Sequence, residues 1–176
     1  MLKKTIVTLM LMLVGLPGVA VANMHGLAIG SYLERGEYRM QLPAFTNHWS
    51  RHHNRDFQWN EMNEGAGVQL TLNGGNWRES IVIGVLEDSF YSWGGYAGYT
   101  RQYIFAKNGF GHISGGAFVG AAYRAMSVDG GNIFLPMALP TLTIEAHRGI
   151  GLNITGLPDV GDSFNGMLHV QITVPM

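Results

Sequence analysis

Cysteine is absent from the 176 residues. That excludes a disulfide framework, a thiolate nucleophile and any cysteine-held metal centre. Charge is also scarce. Asp, Glu, Lys and Arg make up 13% of the chain, against about a quarter in ordinary soluble domains. The formal net charge is −1, and no basic run follows the N-terminal residues, so nucleic acid binding has no electrostatic support. The apolar stretch Thr5 to Leu16 is too short to span a bilayer comfortably as a helix.

That stretch has the form of an export signal. Lys3 and Lys4 precede it, Pro17-Gly18 breaks it, and Ala20-Val21-Ala22 supplies a small-x-small cleavage pattern. Residues 1–22 are therefore expected to be a signal peptide, and residues 23–176 one domain long enough to build a core. The 25 glycines, set against so little charge, fit a barrel whose outer face meets lipid. A compact soluble barrel is the other reading of that balance.

Met24 to Tyr38 hold no more than a turn or two of helix, because Gly26, Gly30 and Gly36 interrupt them. From Gly65 onward the pattern is strand, turn, strand. Val68 to Leu72 alternates apolar and polar residues, and Asn73-Gly74-Gly75-Asn76 is a hairpin turn. Ser80 to Leu86, Tyr96 to Ala106, Gly111 to Met126, Thr141 to Ala146, Gly151 to Thr155 and Gly166 to Val174 follow, with Lys107-Asn108-Gly109 and Asp129-Gly130-Gly131-Asn132 as turns. The expected fold is all-β, a single eight-stranded antiparallel up-and-down barrel with an apolar interior pocket. The Gly/Ala run Gly115 to Ala122 either leaves room inside it or packs tightly within the sheet. Phe134 to Pro140 carries two prolines, each lacking a ladder donor. It reads as a loop between strands or as a gap in the ladder, a side door for an acyl chain.

Two short segments carry the chemistry. Leu42 to Trp49 contains His48, and Glu87 to Tyr99 contains Asp88 and Ser89. Acyl transfer needs a proton acceptor, a group that orients it and stabilisation of an oxyanion. His48 can accept the proton, Asp88 can orient an imidazole, and Ser89 can act as nucleophile or oxyanion donor. Asp88 and Ser89 are adjacent, so they share a face only where the backbone leaves regular strand geometry. The glycine- and aromatic-rich run after them permits that.

These segments resemble the lipid A palmitoyltransferase family of outer-membrane enzymes. The resemblance rests on five short motifs in order: Pro43-Ala44 to His48; Asn60-Glu61 before Gly65-Ala66-Gly67; Gly75-Asn76-Trp77; Asp88-Ser89-Phe90 with Gly95-Tyr96; and Leu135-Pro136 to Pro140. It implies an eight-stranded barrel in the outer membrane, acting as a monomer without cofactor or metal. It implies transfer of a palmitoyl chain from a glycerophospholipid to lipid A, with His48, Asp88 and Ser89 as the catalytic positions. It makes the segment of Pro136 and Pro140 a lateral gate. It also puts Thr100, twelve residues after Asp88, at the pocket floor, where the family has glycine. Chains shorter than palmitoyl are then expected. The chain departs from the family in lacking a clear N-terminal amphipathic helix, a terminal aromatic residue and the family's outer basic residues.

His48, His52 and His53 lie close together with Asp56, but without helical patterning they read as a solvated loop and not as a metal site. Arg51, His52, His53 and Arg55 form a charge cluster able to attract anionic lipid headgroups. Two other function classes share the fold: a non-catalytic envelope barrel that binds lipid, and a soluble periplasmic carrier. Ser80 to Leu86, apolar on both faces, argues against the carrier.

Overall fold

A computed structural model of the chain describes residues 33–49, 57–125, 131–157, 159 and 166–176. Eight antiparallel strands close on themselves in sequence order. They are β1 (Glu37–His48), β2 (Gly65–Gly74), β3 (Trp77–Glu87), β4 (Trp93–Asn108), β5 (Gly111–Ala125), β6 (Asn132–Ala146), β7 (Gly151–Leu157) and β8 (Met167–Pro175). Residues 33–35, just before β1, are helical. The expected signal peptide and the cluster of Arg51, His52, His53, Arg55 and Asp56 lie outside the described residues.

The two ends of the barrel differ. At one end the connections are tight, with turns at Gly75-Asn76, Gly109-Phe110 and His147 to Ile150. Gly75 adopts a φ of 60°, which its missing Cβ permits. The opposite end carries the longer connections: residues 49–64, 88–92, 126–131 and 158–166. Short turns at one end and longer loops at the other are the usual asymmetry of outer-membrane barrels.

The strand faces invert the pattern of a soluble protein. On β1 the inward residues are Arg39, Gln41, Thr46 and His48, while Tyr38, Met40, Leu42 and Phe45 point outward. A bulge between Pro43 and Phe45 shifts the register by one residue, so Thr46 and His48 stay on the inner face. Val85, Val119 and Leu152 are likewise apolar and exposed. Glu79 and Arg101, two charges on outward positions of β3 and β4, sit opposite each other in register and form an ion pair at 3.5 Å.

Inside, the short-turn end is filled by polar side chains. Glu145 bridges two buried arginines, through Oε1 to Arg39 Nη2 at 2.8 Å and through Oε2 to Arg78 Nη1. Arg78 Nη1 also donates to His112 Nε2 at 3.0 Å. Above this lies a hydrogen-bonded layer. Gln69 reaches Thr71, Ser80, Gln41 and Asn153, and Gln102 reaches Thr143. Most of these buried polar groups thus gain a partner, as a low-dielectric interior requires, while Thr173 Oγ1 has none among the described residues. Higher still, Tyr96 Oη donates to Gln41 and accepts from Gln171, capping the polar layer with an aromatic ring. The expected apolar pocket therefore occupies one half of the barrel interior, and the other half is polar.

The turn of helix expected within Met24 to Tyr38 is present at residues 33–35, and β1 begins at Glu37. Phe134 to Pro140 is not a loop but part of β6, paired with β5 throughout (Ala121 opposite Pro136, Ala117 opposite Pro140). The Gly/Ala run is used for packing. A Cβ at Gly120 would meet the Ala97 carbonyl oxygen at 2.2 Å and the Phe118 ring at 2.7 Å, so the sheet packs too closely there for a side chain.

The prolines break the other edge of β6. The β6–β7 ladder runs only from Thr141 opposite Thr155 to Glu145 opposite Gly151. Along Asn132 to Pro140 the β7-facing edge has no ladder partner among the described residues. Pro136 and Pro140, four residues apart, present their ring nitrogens to one and the same edge. Among the described residues, nothing pairs with the wall beside them.

Candidate functional site at the long-loop end

A cavity of about 130 Å³ occupies the half of the barrel above the polar layer. Val82, Phe118 and Leu139 form its apolar body, with Tyr96, Met137 and Leu157 packed against them. It is small beside the roughly 300–1,000 Å³ of pockets that hold drug-sized ligands. Polar groups gather toward its outer end: Thr46, Asn63, Asp88, Ser89, Arg124 and His169. An apolar body under a polar mouth suits a molecule with one fatty and one polar part.

Asp88 and Ser89 both line this cavity, although they are adjacent in sequence. The reason is the turn that follows β3. Asp88 Oδ1 accepts from the backbone N–H of Phe90 (2.9 Å) and of Ser92 (3.0 Å), an Asx-type turn. Tyr91 takes a φ of 60° within it. Asp88 Oδ2 accepts from the N–H of Ala125 at 3.0 Å, which ties the turn to the end of β5. The Asp88 carboxylate is thus held by three backbone donors.

His48 ends β1 and is buried, but it is not among the residues that line the cavity. Its ring stacks on Trp59, with centroids 4.5 Å apart and planes at 28°. Trp59 in turn packs on Phe90 at 5.1 Å. The next residue, Asn60, donates its N–H to the Ser89 carbonyl at 3.1 Å, and its Nδ2 donates to the Asp88 carbonyl at 3.2 Å. Two consecutive residues, Trp59 and Asn60, therefore join His48 to Asp88 and Ser89 at the rim. The Asn60 motif thus acts as a bracket between β1 and the β3–β4 turn.

Thr100 faces inward from β4, between Ser80 and Phe118 in register, and lines the cavity. Tyr99, the adjacent residue, lies on the outer face and takes no part in the lining. Pro136 and Pro140 do not line the cavity. They alternate with Met137 and Leu139, which do, so the prolines sit in the wall behind the lining. Among the described residues no group of three His, Asp or Glu side chains could hold a metal ion.

Sequence reasoning misses four residues of the mouth. His169 on β8 lines the cavity, and its Nδ1 lies 2.8 Å from Thr46 Oγ1. Thr46 Oγ1 also contacts Asn63 Oδ1. Arg124 is the only arginine or lysine in the lining among the described residues. A signal was present: His169 alternates with the apolar Leu168 and Val170, which places it on the inner face of an outward-apolar strand.

No protein-family description matches this chain, and no curated protein matches it.

Proposed function

We propose that this chain is an outer-membrane barrel that transfers a fatty acyl chain from a glycerophospholipid to lipid A or a related lipid acceptor. The observation that carries this reading is the cavity: an apolar slot, closed below by a polar layer, with Asp88, Ser89, Arg124 and His169 at its mouth and, among the described residues, an unpaired wall beside it. A fatty chain fits the slot, and the ester it carries then lies among the polar groups. The open edge at Pro136 and Pro140 is a route by which a chain enters from the bilayer without passing through water.

The outer face supports a membrane setting. Trp49, Tyr91, Trp93, Tyr123 and Phe134 are exposed near the long-loop end, and Trp77, Tyr103, Phe105 and Phe110 near the short-turn end. Trp93 and Tyr103 stand ten residues apart on β4. At about 3.4 Å per residue and a tilt of about 40°, that separates the two belts by about 26 Å along the barrel axis. The apolar band of outer-membrane barrels is about 25 Å tall. Under this reading the mouth opens toward the outer leaflet, where lipid A resides.

Ser89 is the hydroxyl at the mouth and His48 the imidazole at the rim. Asp88 acts by shaping the turn that presents Ser89. A second reading, a non-catalytic lipid-binding barrel, draws on one specific observation: three backbone donors occupy the Asp88 carboxylate, and the His48 ring stacks on Trp59 outside the cavity lining. Incubating the full chain in vesicles with phospholipid donor and lipid A, followed by mass spectrometry of the acceptor, separates the two. A gain of one acyl chain supports the transferase. Bound phospholipid without any acylated product supports the binder.

A further inference from the structure

The outer wall at the short-turn end carries a cluster that the cavity does not use. On β4, Arg101 stands opposite Glu79 in register, and Tyr103, two residues nearer the short-turn end, stands opposite Trp77. The Arg101 guanidinium does not stay on its own rung. Its Cζ lies 4.4 Å from the centroid of the Trp77 ring, so the side chain leans toward the short-turn end and rests on an aromatic face. Trp77 meets Tyr103 edge to face, with centroids 5.3 Å apart. Glu79 takes the Nε edge of the guanidinium at 3.5 Å. The terminal nitrogens of Arg101 make no hydrogen bond among the described residues, and unlike Nε they are not sealed from the outside. Tyr103 Oη accepts from Asn76 Nδ2 at 3.4 Å, which leaves its own proton to donate. Trp77 and Tyr103 are each 43% exposed and the Arg101 side chain 34%, so these donors are open to a ligand.

A planar fork of N–H donors beside a hydroxyl matches the oxygens of a phosphate. The aromatic belt puts these groups at head-group level, where phospholipid phosphates lie. Further along the wall, Ile81, Tyr99 and Val119 point outward and offer apolar surface to acyl chains. Ala117 opposite Arg101 and Gly115 opposite Tyr103 project little and leave room beside them. We infer that Trp77, Arg101 and Tyr103 bind the phosphate of one glycerophospholipid in the leaflet at the short-turn end, outside the barrel and apart from the cavity. Glu79 offsets the charge of Arg101, so the site holds phosphate oxygens through the geometry of its donors and not through net charge. This inference rests on the membrane setting of the proposed function, but it is independent of whether transfer occurs.

The test follows the indole ¹⁵N–¹H signals of the full chain in dodecyl maltoside micelles. Of the four tryptophans, Trp77 stands in the short-turn belt, while Trp49, Trp59 and Trp93 lie near the mouth. Trp77→Phe assigns its signal. Dioleoyl phosphatidylethanolamine is titrated in, and dioleoylglycerol, with the same chains and no phosphate, is the comparison. In the wild type the phospholipid should shift the Trp77 signal saturably, and the diglyceride should not. Arg101→Gln should weaken the response about tenfold, and Tyr103→Phe about threefold. If Arg101→Gln does not fold because Glu79 loses its partner, the double variant Glu79→Gln with Arg101→Gln and the single variant Tyr103→Phe decide the question. Phosphatidylglycerol should bind as phosphatidylethanolamine does. A strong preference for it would reduce the cluster to a general attraction for anions and overturn the site. Equal responses to phospholipid and diglyceride, or an undiminished response in Arg101→Gln, would overturn it too. So would displacement of the lipid by inorganic phosphate at equal concentration, which would mark a site for the free ion. Shifts at the mouth tryptophans with Trp77 unmoved would overturn the inference and leave the cavity as the lipid site. No shift at any indole would overturn both.

Discussion

Ser89 and His48 sit on either side of the Trp59-Asn60 bracket, and each has a role that substitution can expose. Ser89→Ala removes the hydroxyl at the mouth without touching the Asp88 turn, whose hydrogen bonds come from the backbone. Loss of a group taking part in proton transfer typically costs about 10²- to 10⁴-fold in rate. Ser89→Ala and His48→Ala should each lower acyl transfer by that order in a barrel that still folds. Transfer at the wild-type rate by both would remove these residues from the site. Thr100 governs a different quantity. It faces the cavity beside Phe118, and each methylene that cannot be buried forfeits about 0.8 kcal/mol, roughly fourfold. With the small cavity, that predicts a preference for donors shorter than palmitoyl, moving to longer chains in Thr100→Gly. A graded series of donors measures it. An unchanged palmitoyl preference in both proteins would mean that the floor lies elsewhere. At this scale the sequence is informative where a motif carries a residue and silent where only geometry does. Asp88, Ser89 and Thr100 all line the cavity, and they are reachable from a motif and a count of residues. The Asn63–Thr46–His169 chain joins β1, the loop before β2 and β8, and no local spacing links those three.

Among the elements, β6 holds most of the functional interest. Its prolines are tolerated because the β5 ladder is complete and only the β7 side lacks a ladder partner among the described residues. If that opening admits the chain, closing it should matter. Pro140 and Gly156 are the first positions beyond the last paired rung, Thr141 with Thr155. Cysteines placed there have no native thiol to compete with them. Oxidation should slow transfer severalfold, and reductant should restore it. Equal rates in the oxidised and reduced forms would leave the gap without a part in entry. Strand β1 shows why element boundaries were harder to read than element type. Its alternation of Tyr38, Met40 and Leu42 with Arg39 and Gln41 is a clear period of two, yet the polar residues are the buried ones. Read with soluble-protein expectations, that stretch loses its strand signature. Proline 43, which falls at the bulge, obscures it further. The hairpin at Gly75-Asn76 was plain, because turn chemistry is local and does not depend on which face meets lipid.

For the whole molecule, the polar half and the apolar half of the interior divide the labour of stability and binding. Glu145 holds Arg39 and Arg78 at the short-turn end, far from the mouth. Glu145→Gln leaves the buried Arg78 without its counter-charge and Arg39 with only the exposed Glu37, and should cost about 3–5 kcal/mol of stability. The measurement is the urea midpoint of the barrel refolded in vesicles, and a midpoint within error of the wild type would show that the arginines find other partners. The eight-strand architecture was legible from strand spacing and turns. The polar layer was not, since an inward charge and a solvent-facing charge look alike in sequence until the outer face is known to be apolar. The central claim is acyl transfer at the mouth of this cavity, and its most direct test is mass spectrometry of lipid A incubated in vesicles with the full chain and a saturated glycerophospholipid donor. The account predicts lipid A heavier by one acyl chain of the donor with matching lysophospholipid, and neither product with Ser89→Ala. Unmodified lipid A with the wild-type protein correctly folded, across donors from ten to sixteen carbons, would contradict it.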